Sequence, residues 1–273
     1  MAGTRIAGQY VAVLEGIQAD QDFVRVVLRP DRFYNKKFCC YYCSAMQWIN
    51  DDDDDHGGHD SLGYLYTCFG PHAWHRATLI QDDAWHSINP DTPFSRLDGF
   101  SPWRVMPDMM HIVHLSLFAD LAVSLLLDWT DNQQYLSASS RELRLDELWQ
   151  SYRSWCEKAC VPDRCSRKLF RTSTLRATTA YVEISQKICS GTAARYAIFW
   201  FASMAQHFSN LQGDPLDHLR AGAAGGLAWI ERACVQGKRI LAETVCADIN
   251  LNISYLTFCP AIRAILATMQ TRT

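Results

Sequence analysis

The sequence predicts an α-rich protein in two parts: a mixed α/β front over residues 1–135 and an all-helical back over residues 136–273. Three observations predict it. Short apolar, β-branched or aromatic runs of strand length, Gln9–Glu15 (QYVAVLE) and Tyr64–Phe69, lie in the front. From Ser140 onward, Leu143, Leu145, Leu148, Trp149, Tyr152 and Trp155 recur at helical spacing. The charge also divides: residues 1–135 carry 9 Lys/Arg against 18 Asp/Glu, and residues 136–273 carry 17 against 11, so the front is −9 and the back +6. Only the back has the sign to attract a phosphate chain.

Taken in order, Gln9–Glu15 is the first expected strand. Asp20 follows at a turn, and Phe23, Val24, Val26, Val27 and Leu28 continue as a helix until Pro30 stops it. Residues 31–48 are rich in aromatics and cysteine. The run Asp51–Asp55, followed by His56, Gly57, Gly58 and His59, has the composition of a solvated insertion, and it lacks the alternating ligands of an EF-hand loop. After the short strand at Tyr64–Phe69, residues 70–104 show no period and read as an irregular loop. Pro107 is expected in the first turn of a helix reaching about Asp128. In the back, helices are expected over Thr174–Ile188 and Thr192–Phe208, with a break near Gly191. Ala221–Leu227 (AGAAGGL) reads as a loop or a close helix contact, and Leu227–Ile249 as a further helix. There is no internal repeat.

With 48% apolar and 20% charged residues, the composition excludes wholesale disorder. No sustained apolar stretch with a small-residue cleavage site occupies the N-terminus, so no signal peptide is expected. The most apolar run, Met109–Leu127, carries His111, His114 and Asp120, and a helix buried in protein is expected rather than a membrane span. Eleven cysteines without a secretory signal argue for reduced thiols or metal ligands in an intracellular protein. Walker, GxSxG and HExxH motifs are absent, which removes support for those enzyme classes.

Three constellations could carry chemistry. Cys40 and Cys43, with Cys39 adjacent, have the two-residue gap that lets two thiolates reach one tetrahedral zinc. A structural zinc needs a second pair, for which His111 with His114, His72 with His75, and Cys68 are candidates. His111 and His114, three apart on a predicted helix, can converge on one ion. The competing reading makes these cysteines small buried apolar residues. Asp108 stands at an expected helix start, where it serves equally as an N-cap or as a carboxylate ligand for Mg²⁺. Asp20, with Asp22 nearby, follows the first expected strand, a place where phosphoryl-transfer enzymes hold a divalent metal; surface aspartates at turns are also common. In the back, Arg164, Arg167, Lys168, Arg171 and Arg176 face a lone Asp163, which makes residues 164–176 either a phosphate-tracking patch or a solvated helix face.

In sequence order, Phe69-Gly70-Pro71, Ala73 to Thr78 (AWHRAT), Trp85, Asp98-Gly99-Phe100 and Pro107 to Leu115 (PDMMHIVHL) resemble the CACTA (En/Spm) class of DDE transposases. The Cys40/Cys43 pair and the later Tyr181-Val182 and Lys187 are also similar to transposase-derived proteins of that class. The resemblance covers roughly residues 17–210, and it is sharpest over 68–128. It implies a partial RNase H-like front whose acidic residues hold two Mg²⁺ ions for DNA strand cleavage and transfer. Carried across by motif, Asp108 matches the acid of the D-x-M-H element, Asp20 the first acid, Cys40 and Cys43 the two-cysteine element, and His111 its histidine.

The third acid has no clear counterpart; Glu183 and Glu243 lie in plausible helices, and Glu183 is carried forward as the candidate. Leu115-Ser116-Leu117 replaces the usual glycine after the motif, and no separate DNA-binding module is expected ahead of the core. Two acids without the third position metals poorly, at a cost of orders of magnitude in rate. The expectation is therefore a degenerate, transposon-derived protein without transposition activity, binding Zn²⁺ and DNA and residing in the nucleus if it binds DNA. The alternative is a non-catalytic, zinc-stapled helical interaction protein.

Overall fold

The structure, a computed structural model, describes residues 17–31, 92–131, 133–175, 184–212 and 214–236, together with Ile80, Trp85, Ser87 and Asn89. The expected strands at Gln9–Glu15 and Tyr64–Phe69 and the Asp51–Asp55 run lie outside these residues. The described chain is helix-rich, so the α-rich expectation holds. It divides into two compact units, Met1–Asp108 and Met109–Thr273. That division falls earlier than the change in composition near residue 135.

In the first unit, β1 (Ile17–Ala19) is followed by α1 (Gln21–Phe23), which continues as a π-helical turn, Val24–Leu28. The turn ends where Arg29 takes a left-handed conformation (φ 48°) and donates its N–H to the Val24 carbonyl, with Pro30 following. This agrees with the expected stop at Pro30. Residues 92–101 are turns, and a 3-10 turn, Pro102–Arg104, leads into β2 (Val105–Pro107). The two strands pair in parallel, Ile17 with Val105, Gln18 with Met106 and Ala19 with Pro107. Pro107 thus closes a strand instead of opening a helix, a correction to the sequence reading. Three residues are too few to show a period, and proline is tolerated at such a two-stranded edge.

Beneath the strands, Val24, Leu28 and Val105 are buried against Ala19, Phe94 and Phe100. Phe23 meets Phe94 edge-on at 5.8 Å. Asn89 ties distant chain together: its amide oxygen accepts the Asp31 N–H (2.7 Å), and its amide nitrogen donates to the Trp85 carbonyl (3.0 Å).

The second unit opens with a π-helical segment, Met110–Leu117, that runs on as α2 (Phe118–Asp131). By length and composition Met110–Asp131 could cross a membrane. Here Phe118, Ala122, Leu125, Leu126 and Trp129 are buried in the core of the unit. α3 (Arg141–Lys158) begins where the Ser140 hydroxyl accepts the Leu143 N–H, and its buried face is Leu145, Leu148, Tyr152 and Cys156. It ends in a Schellman-type closure, with Cys160 at φ 51° and the Val161 N–H donating to the Cys156 carbonyl at 3.0 Å. Buried Arg144 locks the α2–α3 connection by donating to the Thr130 and Ala138 carbonyls, both at 2.7 Å.

After a 3-10 turn, Arg167–Phe170, comes the short α4 (Thr172–Leu175). The expected helix over Thr174–Ile188 does not continue at its far end. Residues 184–190 form a turn closed by the Ile188 N–H on the Ser185 carbonyl, and the Ile188 carbonyl is taken by the Ser166 N–H (2.8 Å). Ser190 then caps α5 (Gly191–Gln212), its hydroxyl accepting the Ala193 N–H at 3.0 Å. A Cβ at Gly191 would stand 2.7 Å from Met110 Cγ, so glycine permits this close approach of α5 to the π-helical segment.

α6 (Pro215–Gln236) absorbs Ala221–Leu227 into one continuous helix, which corrects the loop alternative. The alanines of that stretch lie against the core (Ala224 is fully buried), so packing outweighs the low helix propensity of its glycines. The center of the unit is aromatic: Trp129 stacks on Phe201 (5.9 Å) and meets Trp200 edge-on (6.4 Å), while Tyr152 stacks on Phe170 (5.5 Å).

Candidate functional site: two carboxylates at paired strand ends

The parallel register decides where the two candidate aspartates sit. The last ladder pair is Ala19 with Pro107, and the Asp108 N–H donates to the Ala19 carbonyl at 3.1 Å. Asp20 and Asp108 are therefore the next residues on two adjacent strands that run the same way. Neighbouring strands lie about 4.8 Å apart, which is within reach of a shared divalent cation for two carboxylates leaving the same end. The carboxyl ends of parallel strands are also where α/β folds place their ligand sites. Both residues are half-buried.

Asp20 has a structural duty as well. Its Oδ1 accepts the Phe23 N–H at 2.6 Å, and its carbonyl accepts the Val24 N–H, so it caps α1. A carboxylate has two oxygens and about four acceptor sites, so capping occupies only part of its capacity. Asp22 turns away to pair with Arg25 at 3.1 Å.

His111 and His114 lie in the π-helical segment of the second unit. Wider i→i+5 winding rotates positions three apart away from the common face that an α-helix would give them. His114 is engaged elsewhere, its Nε2 standing 2.8 Å from Oε2 of Glu231 on α6. Glu231 is buried and is also held by the Arg195 guanidinium from α5. Burial alone would raise the Glu231 carboxyl; hydrogen bonds from His114 and Arg195 outweigh it and hold the carboxyl below its ordinary value. Among the described residues, no three His, Cys, Asp or Glu side chains gather as a metal-holding group. Cys40, Cys43 and Glu183 lie outside the described residues.

The basic stretch 164–176 is exposed at Arg164, Arg167, Lys168 and Arg171, while Arg176 lies outside the described residues. Arg167 is paired with Asp146 at 2.7 Å, and Arg164 donates to the Val161 carbonyl.

Sequence reasoning did not find two buried polar clusters. One is His114–Glu231–Arg195. In the other, the Tyr135 hydroxyl donates to Asp217 at 2.8 Å, and Arg220 bridges Asp217 and Asp128. Apart from Asp217 and Arg220, three positions apart on α6, their members are far apart in sequence, and no local spacing brings the clusters together.

No family model matches the chain, and neither a curated protein nor a solved structure matches it.

Proposed function

We propose that this chain is a transposon-derived protein retaining the two-carboxylate end of a DDE-type, RNase H-like core, with Asp20 and Asp108 sharing Mg²⁺. The observation that carries the reading is the parallel register that ends β1 and β2 immediately before these two residues. A hard divalent cation suits two carboxylates at adjacent strand ends, and bound there it would polarise a phosphate oxygen. Asp20 and Asp108 would bind and orient that ion. With the third acid unassigned, the core is degenerate, and cation binding outlasts strand transfer.

Exposed Lys168 and Arg171 support DNA contact through the phosphates, of the sequence-independent kind that weakens steeply with salt. Such contact implies nuclear residence. A structural zinc at Cys40 and Cys43 belongs to the same reading, and while His114 holds Glu231 the remaining ligands must come from other side chains.

Mn²⁺ titration of the purified full chain by calorimetry, with labelled duplex DNA followed by anisotropy, tests the proposal. Expected are saturable Mn²⁺ uptake that Asp20→Asn and Asp108→Asn each weaken by roughly tenfold or more, and DNA binding reduced by Lys168→Ala with Arg171→Ala. Uptake unchanged in both aspartate variants would overturn it.

A further inference from the structure

We propose that Cys165 and Cys189 are a disulfide-forming pair, a modification site that peroxide-class oxidants close within the helical unit. The two sulfurs lie 3.1 Å apart, one thiol donating to the other, about 1 Å beyond the ~2.05 Å of a formed bond. Both residues are buried, at 2% and 5% exposure.

The two chain segments that carry them are already fastened side by side. Ser166 N–H donates to the Ile188 carbonyl at 2.8 Å, and the Ser190 hydroxyl donates to Asp163 at 2.7 Å. These bonds flank the sulfur pair on both sides. The Tyr152 hydroxyl accepts the Cys165 N–H at 3.0 Å and holds that backbone against α3. Bond formation therefore asks for a small approach of two side chains with the backbone already in place. Of the other described thiols, Cys156 is also buried, Cys234 is half-buried, and Cys160 is exposed with its sulfur facing the Glu157 carbonyl.

The chemistry closes with hydrogen peroxide as the oxidant. One sulfur, as thiolate, attacks a peroxide oxygen; the O–O bond breaks, hydroxide leaves and a sulfenic acid forms. The second sulfur attacks the sulfenic sulfur, the S–S bond forms and the S–O bond breaks. Two thiols and one peroxide give a disulfide and two waters, with two electrons passing from sulfur to oxygen. The Cys189 thiol is pushed well above its ordinary value by its hydrogen bond with Cys165 and by burial. Thiolate is accordingly scarce at neutral pH, and closure speeds up as pH rises.

Reduced full-length protein is treated with hydrogen peroxide, its remaining thiols are alkylated, and a non-reducing digest is read by mass spectrometry. Expected is a Cys165–Cys189 linked peptide two hydrogens lighter than its reduced parts, forming faster at alkaline pH. Closing this loop should raise the melting temperature of oxidised over reduced protein by roughly 5–10 °C, a rise abolished in Cys165→Ser and in Cys189→Ala. The wild-type peptide map decides the matter even if a variant fails to fold. Alkylation of both sulfurs after Cys160 has been oxidised, or linkage of either one to Cys156, would overturn the proposal.

Discussion

Replacing Glu231 with glutamine removes one charge from a buried cluster and leaves its shape nearly unchanged. In the native chain, the Glu231 carboxylate is 4% exposed and is shared by His114, at 11% exposure, and Arg195, at 43%. A hydrogen bond to a charged group is worth about 1.5–3 kcal/mol, roughly twice a neutral one, so reducing the His114 contact to a neutral bond costs about 1 kcal/mol. Arg195 is more than a third exposed and regains water when released, so its loss is discounted to about 1 kcal/mol. Together Glu231→Gln should destabilise the helical unit by about 2 kcal/mol, a drop of roughly 4–8 °C in melting temperature for a unit of this size.

The pH dependence follows from the lowered carboxyl. The unfolded chain binds the proton more readily than the folded one, so this contribution is fully present above the unfolded value of about 4.3 and is lost as pH falls through the lowered folded value. Urea unfolding of both proteins, at neutral pH and in acid, measures it. The difference should be largest at neutral pH and shrink in acid. A glutamine variant as stable as wild type at neutral pH would refute the reasoning, because it would mean that desolvation of the cluster cancels its attractions.

Other outcomes follow from the same packing. Trp129→Ala, at a fully buried indole in contact with Phe201 and Phe208, should cost about 3–5 kcal/mol in urea unfolding, and Trp129→Phe well under half of that. Tyr135 is pushed up to about 12, by burial first and then by its hydrogen bond to Asp217. Its stabilising share should be complete below about 10 and vanish as pH rises through 12, with Asp217→Asn shifting the phenolate absorbance titration toward lower pH.

The parts of this fold that were legible in the sequence are those with many turns of regular pattern. Leu145, Leu148 and Tyr152 declared α3 because about five turns of helix repeat the same buried stripe, although Leu143, counted with them, proves exposed. Ser140, from which the pattern is counted, proves to cap the helix by accepting the Leu143 N–H. β1 and β2, by contrast, are three residues each, and their identity comes from pairing across a long stretch of chain. No local signal could separate Val105–Pro107 from a helix start, so Pro107 misled.

Ala221–Leu227 was ambiguous because glycine weakens a helix in isolation, whereas burial of Ala221 and Ala224 decides the matter only in three dimensions. Asp20 is singled out by its type and its place after an expected strand, Asp108 by its type and its place at an expected helix start. Their adjacency is a property of register, invisible in sequence order. The His114–Glu231 contact joins residues 117 positions apart, and only the folded helices reveal it.

Iron-directed backbone cleavage tests most directly whether Asp20 and Asp108 share a cation. Full-length protein is loaded with Fe²⁺ in place of Mg²⁺, treated with ascorbate and peroxide, and its fragments are sized. One ion held at the paired strand ends should cut the chain at two places, near residues 20 and 108, and Asp20→Asn or Asp108→Asn should abolish both cuts together, since asparagine keeps the capping oxygen of Asp20 while removing its charge. Cutting near only one aspartate, or two cuts that survive either substitution, would contradict the shared site.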